Sequence, residues 1–401
     1  MQTLAIVGAS LAGLSAARAA RAQGFTGRLL IVGDEPHRPY DRPPLSKDFL
    51  LGKITEEDLF LEAGDDGLEA EWILGGGAVG LDAAARTIRL HDGQSVAADG
   101  IVIATGARAR RLPALAGLKN VFYLRTIADA QGLAPELVSG ARMIVVGAGF
   151  IGAEVASAAA SRGMQVTVIN NAPVPFSAQL GQDMGAIVAK LHAANGVDLI
   201  SGAAIDKFHS SEGAVTGLRL ADGRELAADV VVVGIGAEPN TEWLQGSGLE
   251  LGPGVICDAM GRTNVPGIVA VGDCAAWFDE VHGAHRRIEH WTGALERAAL
   301  AIQALLDPQS PEQPLKPPYF WSDQHGVKIQ FAGHSAGYDR VDIEAGDPEQ
   351  HNFLAVYYRE GHAVAVLGMN QPRLFTKWRR NLTVRVRKPE DQSGLAAAVA
   401  P

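Results

Sequence analysis

The sequence predicts an α/β protein in which two similar parallel-sheet units are followed by a smaller α+β domain. Glycine-rich turns at 8–13 and 147–152 each lie between an apolar run and an alanine-rich helical segment. A proline-rich stretch at 307–318 reads as a linker, and short strands at 328–331, 353–358 and 363–367, together with helical segments, follow it. With 401 residues, the chain is long enough for two or three domains.

The first glycine-rich turn has the pattern of a dinucleotide-binding βαβ unit. An apolar run precedes Gly8, Gly13 lies in the alanine-rich segment, and a second apolar run follows. Gly8 permits a tight turn, Gly13 lets helix and strand pack closely, and the helix N-terminus offers N–H groups to a pyrophosphate. Ser10 stands where a second glycine is usual, and as a small residue it is compatible with close approach to the phosphate.

Acidic residues close this first unit. Asp34 and Glu35 follow the second strand, where a carboxylate can accept hydrogen bonds from a ribose. The alternative interpretation is a buried βαβ turn without a ligand. The presence of both strands, the helix and the acid favours the dinucleotide site.

The second unit repeats this design. Gly147, Gly149 and Gly152 form its turn. The apolar run 142–146 precedes the turn, and a returning strand ends at Asn170. Two such units predict two dinucleotides, one in each domain. Asparagine can still hydrogen-bond the ribose 2′-hydroxyl, and no arginine follows closely to attract a 2′-phosphate, so the pattern favours NADH, with NADPH not excluded.

Three more apolar strands end in small-residue turns. Parallel-sheet proteins bind ligands at this edge of the sheet. The first strand ends at Ala104, Thr105 and Gly106, and the second leads to Gly236. The third ends at Asp273, whose carboxylate could bind a polyol hydroxyl, a role that is compatible with a helix N-cap.

Charged groups on two other segments are candidates to face a cofactor. Arg42 and Lys47 lie on a segment that prolines stiffen, and the alternative is a surface loop with solvated charges. Glu289 precedes a helix predicted for 292–306, where the alternative is an ordinary first-turn acid.

Composition excludes several classes of function. The net charge of −10 argues against nucleic acid as a general partner. Cys257 and Cys274 lack the spacing of a redox pair or a zinc site, and no metal is predicted. No apolar run is long enough for a bilayer, and the first strand begins too early for a signal peptide. We therefore expect a cytoplasmic protein without membrane contact.

Together these motifs resemble those of a known family. The segments 104–106, 147–154 and 263–273 are similar to those of FAD-dependent pyridine nucleotide reductases related to glutathione reductase. The segments 42–47 and 321–324 narrow the resemblance to NADH:ferredoxin reductases of bacterial Rieske oxygenase and cytochrome P450 systems. Rubredoxin reductases, putidaredoxin reductase and apoptosis-inducing factor are relatives in this family.

The resemblance implies the domain organisation. A discontinuous FAD-binding domain is expected at 1–111 and 236–308, an NAD(P)H-binding domain at 112–235, and a C-terminal α+β domain at 309–401. The predicted fold class is therefore α/β, with two Rossmann-like dinucleotide-binding domains (FAD and NAD) plus the C-terminal α+β domain.

The resemblance also implies cofactor contacts. Glu35 is expected to bind the FAD ribose. Arg42 and Lys47 are expected to contact the flavin end, and Arg125 and Asp273 to help hold FAD. The full set of candidate cofactor contacts is Gly8, Ser10, Gly13, Asp34, Glu35, Arg42, Lys47, Ala104, Thr105, Gly106, Arg125, Gly147, Gly149, Phe150, Ile151, Gly152, Glu154, Asn170, Gly236, Asp273, Glu289, Trp291 and Trp321.

Four of these residues are the candidate catalytic residues. By resemblance, Trp321 lies against the isoalloxazine ring, where an ordinary core aromatic is the alternative, and Glu154 and Glu289 lie near the nicotinamide. We further predict an ion pair between Lys47 and Glu154 that adjusts the flavin edge for the arriving hydride.

The reaction implied by the resemblance is electron transfer through FAD. NADH passes a hydride to FAD, and single electrons then go to a [2Fe–2S] ferredoxin that feeds an oxygenase or a P450. The segment after the first ribose acid holds Ser46 and no cysteine, unlike disulfide reductases and the peroxidase and NADH oxidase branch. Electrons are therefore expected to leave directly from the flavin.

A row of cations without an acid, at 373–388, is the predicted docking surface for the ferredoxin. A solvated helix face is the alternative, and Arg286 with Arg287 is the second candidate surface. The candidate contacts in the row are Arg379, Arg380, Arg385 and Arg387.

Two other functions stay open. One is a reductase of rubredoxin, a quinone or monodehydroascorbate. The other is a non-enzymatic protein resembling apoptosis-inducing factor, whose association with a partner depends on FAD and NADH.

Overall fold

The structure is a computed structural model that describes residues 1–62 and 67–382. The α-helices of this range are α1 Leu11–Ala22, α2 Ile127–Leu133, α3 Phe150–Ser161, α4 Ser177–Ala194, α5 Trp291–Leu306 and α6 Pro372–Arg380. Within those residues, none of the helices has both the length and the apolar character needed to cross a membrane.

The strands are numbered in chain order. The first part of the chain contains β1 Thr3–Val7, β2 Arg28–Val32, β3 Ala70–Ile73, β4 Ala78–Asp82, β5 Thr87–Leu90, β6 Ser95–Ala97, β7 Gly100–Ile103, β8 Ala107–Ala109 and β9 Val121–Phe122. The middle part contains β10 Arg142–Val146, β11 Gln165–Asn170, β12 Asp198–Ser201, β13 Ile205–Ser211, β14 Ala214–Leu220, β15 Glu225–Ala227, β16 Val230–Val233 and β17 Ala237–Pro239. The last part contains β18 Val255–Cys257, β19 Ile268–Ala270, β20 Ala275–Asp279, β21 Ala284–Arg287, β22 Tyr319–Gln324, β23 Val327–Gly333, β24 Arg340–Asp347, β25 Asn352–Arg359 and β26 His362–Met369.

The first parallel sheet has the strand order β3-β2-β1-β7-β19. Its inner strands β1, β2 and β7 are almost entirely buried, which is typical of parallel strands that are covered on both faces. Helices α1 and α5 pack against each other and against this sheet. Strand β19 pairs with β7, so the chain returns late in the sequence to the sheet in which it began.

Two glycines determine the turn at the carboxyl end of β1. Gly8 has a φ of +125°, and a Cβ atom there would lie 2.0 Å from the Ala104 carbonyl oxygen. A Cβ atom on Gly13 would lie 1.8 Å from the Gly8 carbonyl oxygen, so a glycine is required for α1 to approach β1. Ser10 is the N-cap of α1. Its counterpart Gly149 has no neighbour closer than 3.9 Å to such a Cβ atom, which explains why serine is accommodated at this position.

The second parallel sheet has the strand order β12-β11-β10-β16-β9, with α3 packed on β10 and β11. The chain enters this unit after β8 and leaves it before β17, and these two strands pair antiparallel at the connection. Three-stranded antiparallel sheets, β4-β5-β6 and β13-β14-β15, accompany the first and second unit respectively. The predicted α/β fold class is confirmed, whereas the domain boundaries remain a prediction.

The C-terminal domain is an antiparallel sheet of order β22-β23-β26-β25-β24, with α6 packed on β23 and β26. The sequence predicted only the strands that correspond to β23, β25 and β26, so that prediction was incomplete. Strand β24 was missed because its exposed, acidic sequence has no regular apolar alternation. Strand β22 was missed because its polar residues are buried rather than exposed.

Helix α4 joins the second unit to the C-terminal domain. Its buried residues Leu180, Met184 and Val188 share one apolar core with Phe331 and Phe353 of the C-terminal sheet. The helix begins at Ser177, and a kink with non-helical backbone angles lies at Gly181. This shared core places β22 against α3, next to the second glycine-rich turn.

Candidate functional site

A cleft of about 820 Å³ lies between the two dinucleotide-binding units and the C-terminal sheet. Most of the predicted site residues line this cleft: Ser10, Arg42, Lys47, Ala104, Gly106, Arg125, Gly149, Phe150, Ile151, Glu154, Gly236, Asp273, Glu289, Trp291 and Trp321. The cleft walls do not include Gly8, Gly13, Asp34, Glu35, Thr105, Gly147, Gly152 and Asn170. The structure thus brings together residues that are far apart in the sequence, because both parallel sheets direct their carboxyl ends to this cleft.

Glu35 belongs to a polar network behind the first turn. Its carboxylate lies 2.5 Å from Arg42 Nη2 and accepts a hydrogen bond of 2.5 Å from the Tyr40 hydroxyl. Arg42 also donates to Ser10 Oγ at 3.3 Å and to the Arg125 carbonyl oxygen at 2.7 Å. Burial is the main cause that raises the pKa of Tyr40. Arg42 is therefore a partly buried, paired residue and not a solvated surface cation.

Arg125 and Asp273 form an ion pair at the cleft wall. Arg125 Nη2 lies 2.7 Å from Asp273 Oδ2, and both side chains are partly buried. Asp273 lies inside a short 3₁₀ turn after β19, so it is not the N-cap of an α-helix. The side chain of Thr105 instead binds the Asn240 carbonyl oxygen at 2.7 Å, which stabilises the turn and places Thr105 outside the cleft.

Lys47 and Glu154 form the ion pair that the sequence predicted. Lys47 Nζ lies 2.8 Å from Glu154 Oε2, and the Glu154 side chain is only 3% exposed. The 3₁₀ turn Pro43–Ser46 ends at Lys47 and directs its side chain towards α3. The Ser46 hydroxyl donates a short hydrogen bond to Glu154 Oε2, and the Ser322 hydroxyl donates to Oε1 at 2.6 Å. The buried Glu154 carboxylate thus has one cation and two hydroxyl donors as its partners.

Sequence reasoning missed the two serines as partners of Glu154. Ser46 had been considered only as a residue that is not cysteine, and Ser322 only as part of a family motif. No local pattern signals these contacts, because Ser46, Glu154 and Ser322 come from three different parts of the chain.

Glu289 lies before helix α5 rather than in its first turn. The helix begins at Trp291, and the Glu289 carboxylate lies 2.7 Å from Arg287 Nη2. Burial raises the pKa of Glu289, although the charge of Arg287 acts in the opposite direction. Glu289 is thus a partly buried acid at the cleft, with one arginine as its ion-pair partner.

Two tryptophans meet at the other side of the cleft. The Trp291 and Trp321 rings pack edge to face with centroids 5.8 Å apart, and Trp291 Nε1 donates to Asp41 at 2.8 Å. Trp321 stacks on Tyr319 at a centroid distance of 6.0 Å. These contacts hold Trp321 in one orientation at the cleft surface, which is what a wall for a planar ring system requires.

Asn170 ends β11 and is buried. Its side-chain amide donates to the Ala172 carbonyl oxygen at 2.8 Å, and it does not line the cleft. Asn171 beside it is exposed. The predicted contact of Asn170 with a ribose hydroxyl therefore remains a prediction.

The two cysteines lie away from the cleft. Cys257 and Cys274 are both buried free thiols, and burial raises the pKa of each. Their thiolate forms are therefore disfavoured, and neither residue lines the cleft.

A polar cluster at the rim of the cleft did not follow from the sequence. Asp279, His282 and His334 offer ligand-type atoms within 4.8 Å of one another. Arg286 Nη1, however, lies 2.9 Å and 2.8 Å from the two ring nitrogens of His282. A metal ion bound there would meet the guanidinium charge, so we assign no metal to this cluster.

The residues at the first turn fit a dinucleotide such as FAD. Gly8 and Gly13 let α1 begin directly behind β1, and the first turn of α1 carries no acidic residue that would repel a pyrophosphate. Two buried nitrogen atoms of cleft residues, Arg125 Nε and His290 Nδ1, have no hydrogen-bond partner within the protein. Such unpartnered polar atoms are expected where a ligand completes the site.

Comparison with known protein families gives two matches that cover nearly the whole chain. Residues 2–298 match the pyridine nucleotide-disulphide oxidoreductase family, and residues 319–397 match the reductase C-terminal family.

Individual relatives show the same similarity along the whole chain. Putidaredoxin reductase of Pseudomonas putida is 35% identical over 389 residues, which cover 95% of this chain and 92% of that protein. The ferredoxin–NAD(+) reductase component of the biphenyl dioxygenase system of Paraburkholderia xenovorans strain LB400 is 35% identical over 398 residues, which cover 98% and 96%. The covalent putidaredoxin reductase–putidaredoxin complex contains a chain that matches with a TM-score of 0.89 at 33% identity, covering 94% of this chain and 92% of that chain.

Proposed function

The chain belongs to the pyridine nucleotide-disulphide oxidoreductase family, and from this we propose that it is an FAD-dependent NADH:ferredoxin reductase of an oxygenase or cytochrome P450 system. The observation that carries the proposal is the cleft shared by both glycine-rich turns, with the buried Lys47–Glu154 pair between them. FAD supplies the redox chemistry there, because it accepts a hydride from NADH and can give up electrons one at a time. No cysteine lines the cleft, so the chain itself offers no thiol relay.

The protein's own residues bind and orient the two nucleotides. The N-terminus of α1 would hold the FAD pyrophosphate, Glu35 would bind its ribose, and Arg125 and Asp273 would help to hold the cofactor. Glu35 keeps free lone pairs for a ribose hydroxyl even while Arg42 and Tyr40 bind it, because a carboxylate can accept about four hydrogen bonds. The N-terminus of α3 serves the second nucleotide in the same way.

Four residues would act where the nucleotides meet. The Lys47–Glu154 ion pair would lie at the flavin end of the cleft, Glu289 would lie near the nicotinamide, and Trp321 would pack against the flavin ring. These residues would hold the reacting rings together and exclude water, which is the contribution expected of a protein that uses a redox cofactor.

The electron acceptor in this proposal is a [2Fe–2S] ferredoxin that docks on the basic side of the C-terminal domain. Arg380 at the end of α6 is exposed, and Arg379 lies 4.2 Å above the ring of Tyr319, which stacks on Trp321. The predicted contacts Arg385 and Arg387 lie outside the described residues. The second candidate surface is less suitable, because Arg286 and Arg287 already pair with Asp279 and Glu289.

The cytoplasmic location predicted from the sequence also belongs to this proposal. NADH, the proposed donor, requires a compartment in which the reduced nucleotide is available. Fractionation of the source cells would test this location directly.

Anaerobic reduction of the purified protein tests the function. We expect a bound flavin spectrum, rapid bleaching by NADH, and slower bleaching by NADPH. Addition of a [2Fe–2S] ferredoxin to the bleached protein should then restore the oxidised flavin spectrum while the ferredoxin becomes reduced. Absence of flavin, or bleaching without electron transfer to any ferredoxin, would contradict the proposal.

A further inference from the structure

A row of buried polar residues leads away from Glu154 into an otherwise apolar interface. Among the described residues, ten polar or charged side chains are buried, and half of them belong to this one region. The five are Ser46, Glu154, His192, Ser322 and Gln324. The surrounding residues form the apolar core that α4 shares with the C-terminal sheet. Burying a polar group destabilises the folded protein unless the group is hydrogen-bonded. We therefore examined how these five side chains contact one another.

The inner part of the row has a defined direction. The Gln324 side-chain amide donates to Ser322 Oγ at 3.0 Å, and the Ser322 hydroxyl donates to Glu154 Oε1 at 2.6 Å. Because the amide nitrogen can only donate, the hydroxyl hydrogen of Ser322 is free to point at the carboxylate. Gln324 thus determines which way the Ser322 hydroxyl faces.

The outer part of the row consists of two neutral histidines. Burial lowers the pKa of His192 to about 4, against a smaller opposing effect of its contact with Gln324. His325 Nε2 lies 3.2 Å from His192 Nδ1, and burial lowers the pKa of His325 as well. Gln324 Oε1 is buried and accepts no hydrogen bond of good geometry from the described residues, and the Gln324 side chain contacts the His192 ring. In the proposed row, the second ring nitrogen of His192 carries the hydrogen that this oxygen requires.

We propose that His325, His192, Gln324 and Ser322 form a one-way row of hydrogen-bond donors that fixes the Ser322 hydroxyl as a donor to the Glu154 carboxylate and so holds this carboxylate in place beside Lys47. Each member donates to the next, and the last one donates to the carboxylate. Hydrogen bonds in such a series polarise one another in a medium of low dielectric constant. The four residues are positioning residues, since none of them lines the cleft. The row itself is independent of the proposed function. The position of the Lys47–Glu154 pair next to a flavin rests on that function.

The role of His192 in this proposal is to keep the side-chain amide of Gln324 in one orientation. Without a donor at His192, the carboxamide of Gln324 can turn and present its oxygen to Ser322. The Ser322 hydroxyl then donates to Gln324 and not to Glu154, so the carboxylate loses one of its hydrogen bonds. The other groups that face the row are Lys47 and Ser46 at Glu154, and Ser157, whose hydroxyl accepts from the His325 backbone N–H at 2.7 Å.

A matched pair of substitutions at His192 tests the proposal. His192→Met removes the donor at similar volume, whereas His192→Gln retains an N–H group. The measurement is the antisymmetric carboxylate stretch of Glu154 in infrared spectra of the flavin-loaded protein at neutral pH, assigned with Glu154→Gln. We expect this band to shift in His192→Met, because the carboxylate loses the hydrogen bond from Ser322.

The controls separate this proposal from the proposed function and from misfolding. Ser322→Ala should shift the Glu154 carboxylate band as His192→Met does, and His192→Gln should leave the band at its wild-type position. If His192→Met does not fold, His325→Leu, at a half-buried position, should shift the band in the same direction. A Glu154 band at the same position in the wild type and in His192→Met or His325→Leu would contradict the proposal. Absence of flavin bleaching by NADH would instead count against the proposed function.

Discussion

The buried ion pair of Lys47 and Glu154 is the residue-scale feature on which the site depends. Removing one partner of such a pair leaves an unpaired buried charge, which costs about 3–5 kcal/mol. Glu154 would then take up a proton or move, and either change would alter the cleft at the place where the hydride is proposed to arrive. The structure confirms the predicted pair, while its role in hydride transfer stays a prediction.

Lys47→Ala should slow the reduction of bound flavin by NADH. We expect a decrease of about tenfold to a hundredfold, because the substitution removes the fixed charge that orients Glu154. Stopped-flow bleaching of the flavin measures the rate. Lys53→Ala is the matched control, since Lys53 is exposed and pairs with exposed Asp48. Equal rates for the wild type and Lys47→Ala would refute the role of Lys47.

Asn170→Asp should increase the preference for NADH over NADPH. A carboxylate at the end of β11 repels a 2′-phosphate, since like charges about 4 Å apart repel by a few kcal/mol near a protein surface. We expect the ratio of kcat/KM values for the two nucleotides to rise about tenfold or more. Asn171→Asp, at the exposed neighbouring position, controls for a general charge effect. An unchanged ratio would show that Asn170 does not face the 2′ position.

At the scale of elements, the two glycine-rich turns can be predicted together with their role from the sequence, whereas the role of the basic helix α6 cannot. The turns follow from local rules, because a side chain at Gly8 or Gly13 would collide with neighbouring backbone atoms. Helix α6 has a local signal too, but its function depends on its neighbours. It packs on the C-terminal sheet through Phe375 and leaves Lys377 and Arg380 exposed.

Arg380→Glu should weaken the reduction of ferredoxin without slowing flavin reduction by NADH. We expect the KM for ferredoxin to rise about fivefold to tenfold at low salt, and less at high salt, because salt screens the attraction between exposed charges. Steady-state turnover at several ferredoxin concentrations measures the effect. Lys119→Glu makes the same change of charge at an exposed position in the second unit. If both variants behave alike, the docking surface lies elsewhere.

At the scale of the whole molecule, buried neutral histidines make the stability depend on pH. Burial lowers the pKa values of His192, His290 and His334 to about 4, from an ordinary value of 6.5. In the unfolded chain these residues bind protons between pH 6.5 and 4, where the folded protein does not. The unfolded state therefore gains stability as the pH falls through this window, by up to about 3 kcal/mol for each histidine.

The free energy of unfolding should accordingly fall between pH 6.5 and 4, and denaturant unfolding at several pH values measures it. His334→Asn should reduce this change in the free energy of unfolding with pH. Asp279, His282, Arg286 and Arg359 also interact electrostatically with the His334 ring. His91→Asn, at an exposed position, should leave the dependence of the free energy of unfolding on pH unchanged. Asp279 does not interfere, because its pKa of about 2 places its own effect below this window. A stability that is constant from pH 6.5 to 4 would contradict the prediction.

The sequence by itself determined the two βαβ units and the change to an α+β domain after the linker, and most of the site residues that it predicted line the cleft. These features follow from the spacing of neighbouring residues and from short motifs that can be recognised in one sequence. The basic C-terminal row was also visible, although Arg385 and Arg387 lie outside the described residues. Family resemblance then supplied the function, which the full-length relatives support.

Only the tertiary structure decided the partners of the charged groups. It shows Glu35 bound to Tyr40 and Arg42, and Glu154 bound to Ser46 and Ser322, as well as to Lys47 as predicted. It also reveals the two further strands of the C-terminal sheet and the buried polar residues between Glu154 and His325. The physical reason is that each of these pairings forms where distant segments meet, and neither residue type nor local periodicity records which distant side chain will lie within hydrogen-bonding distance.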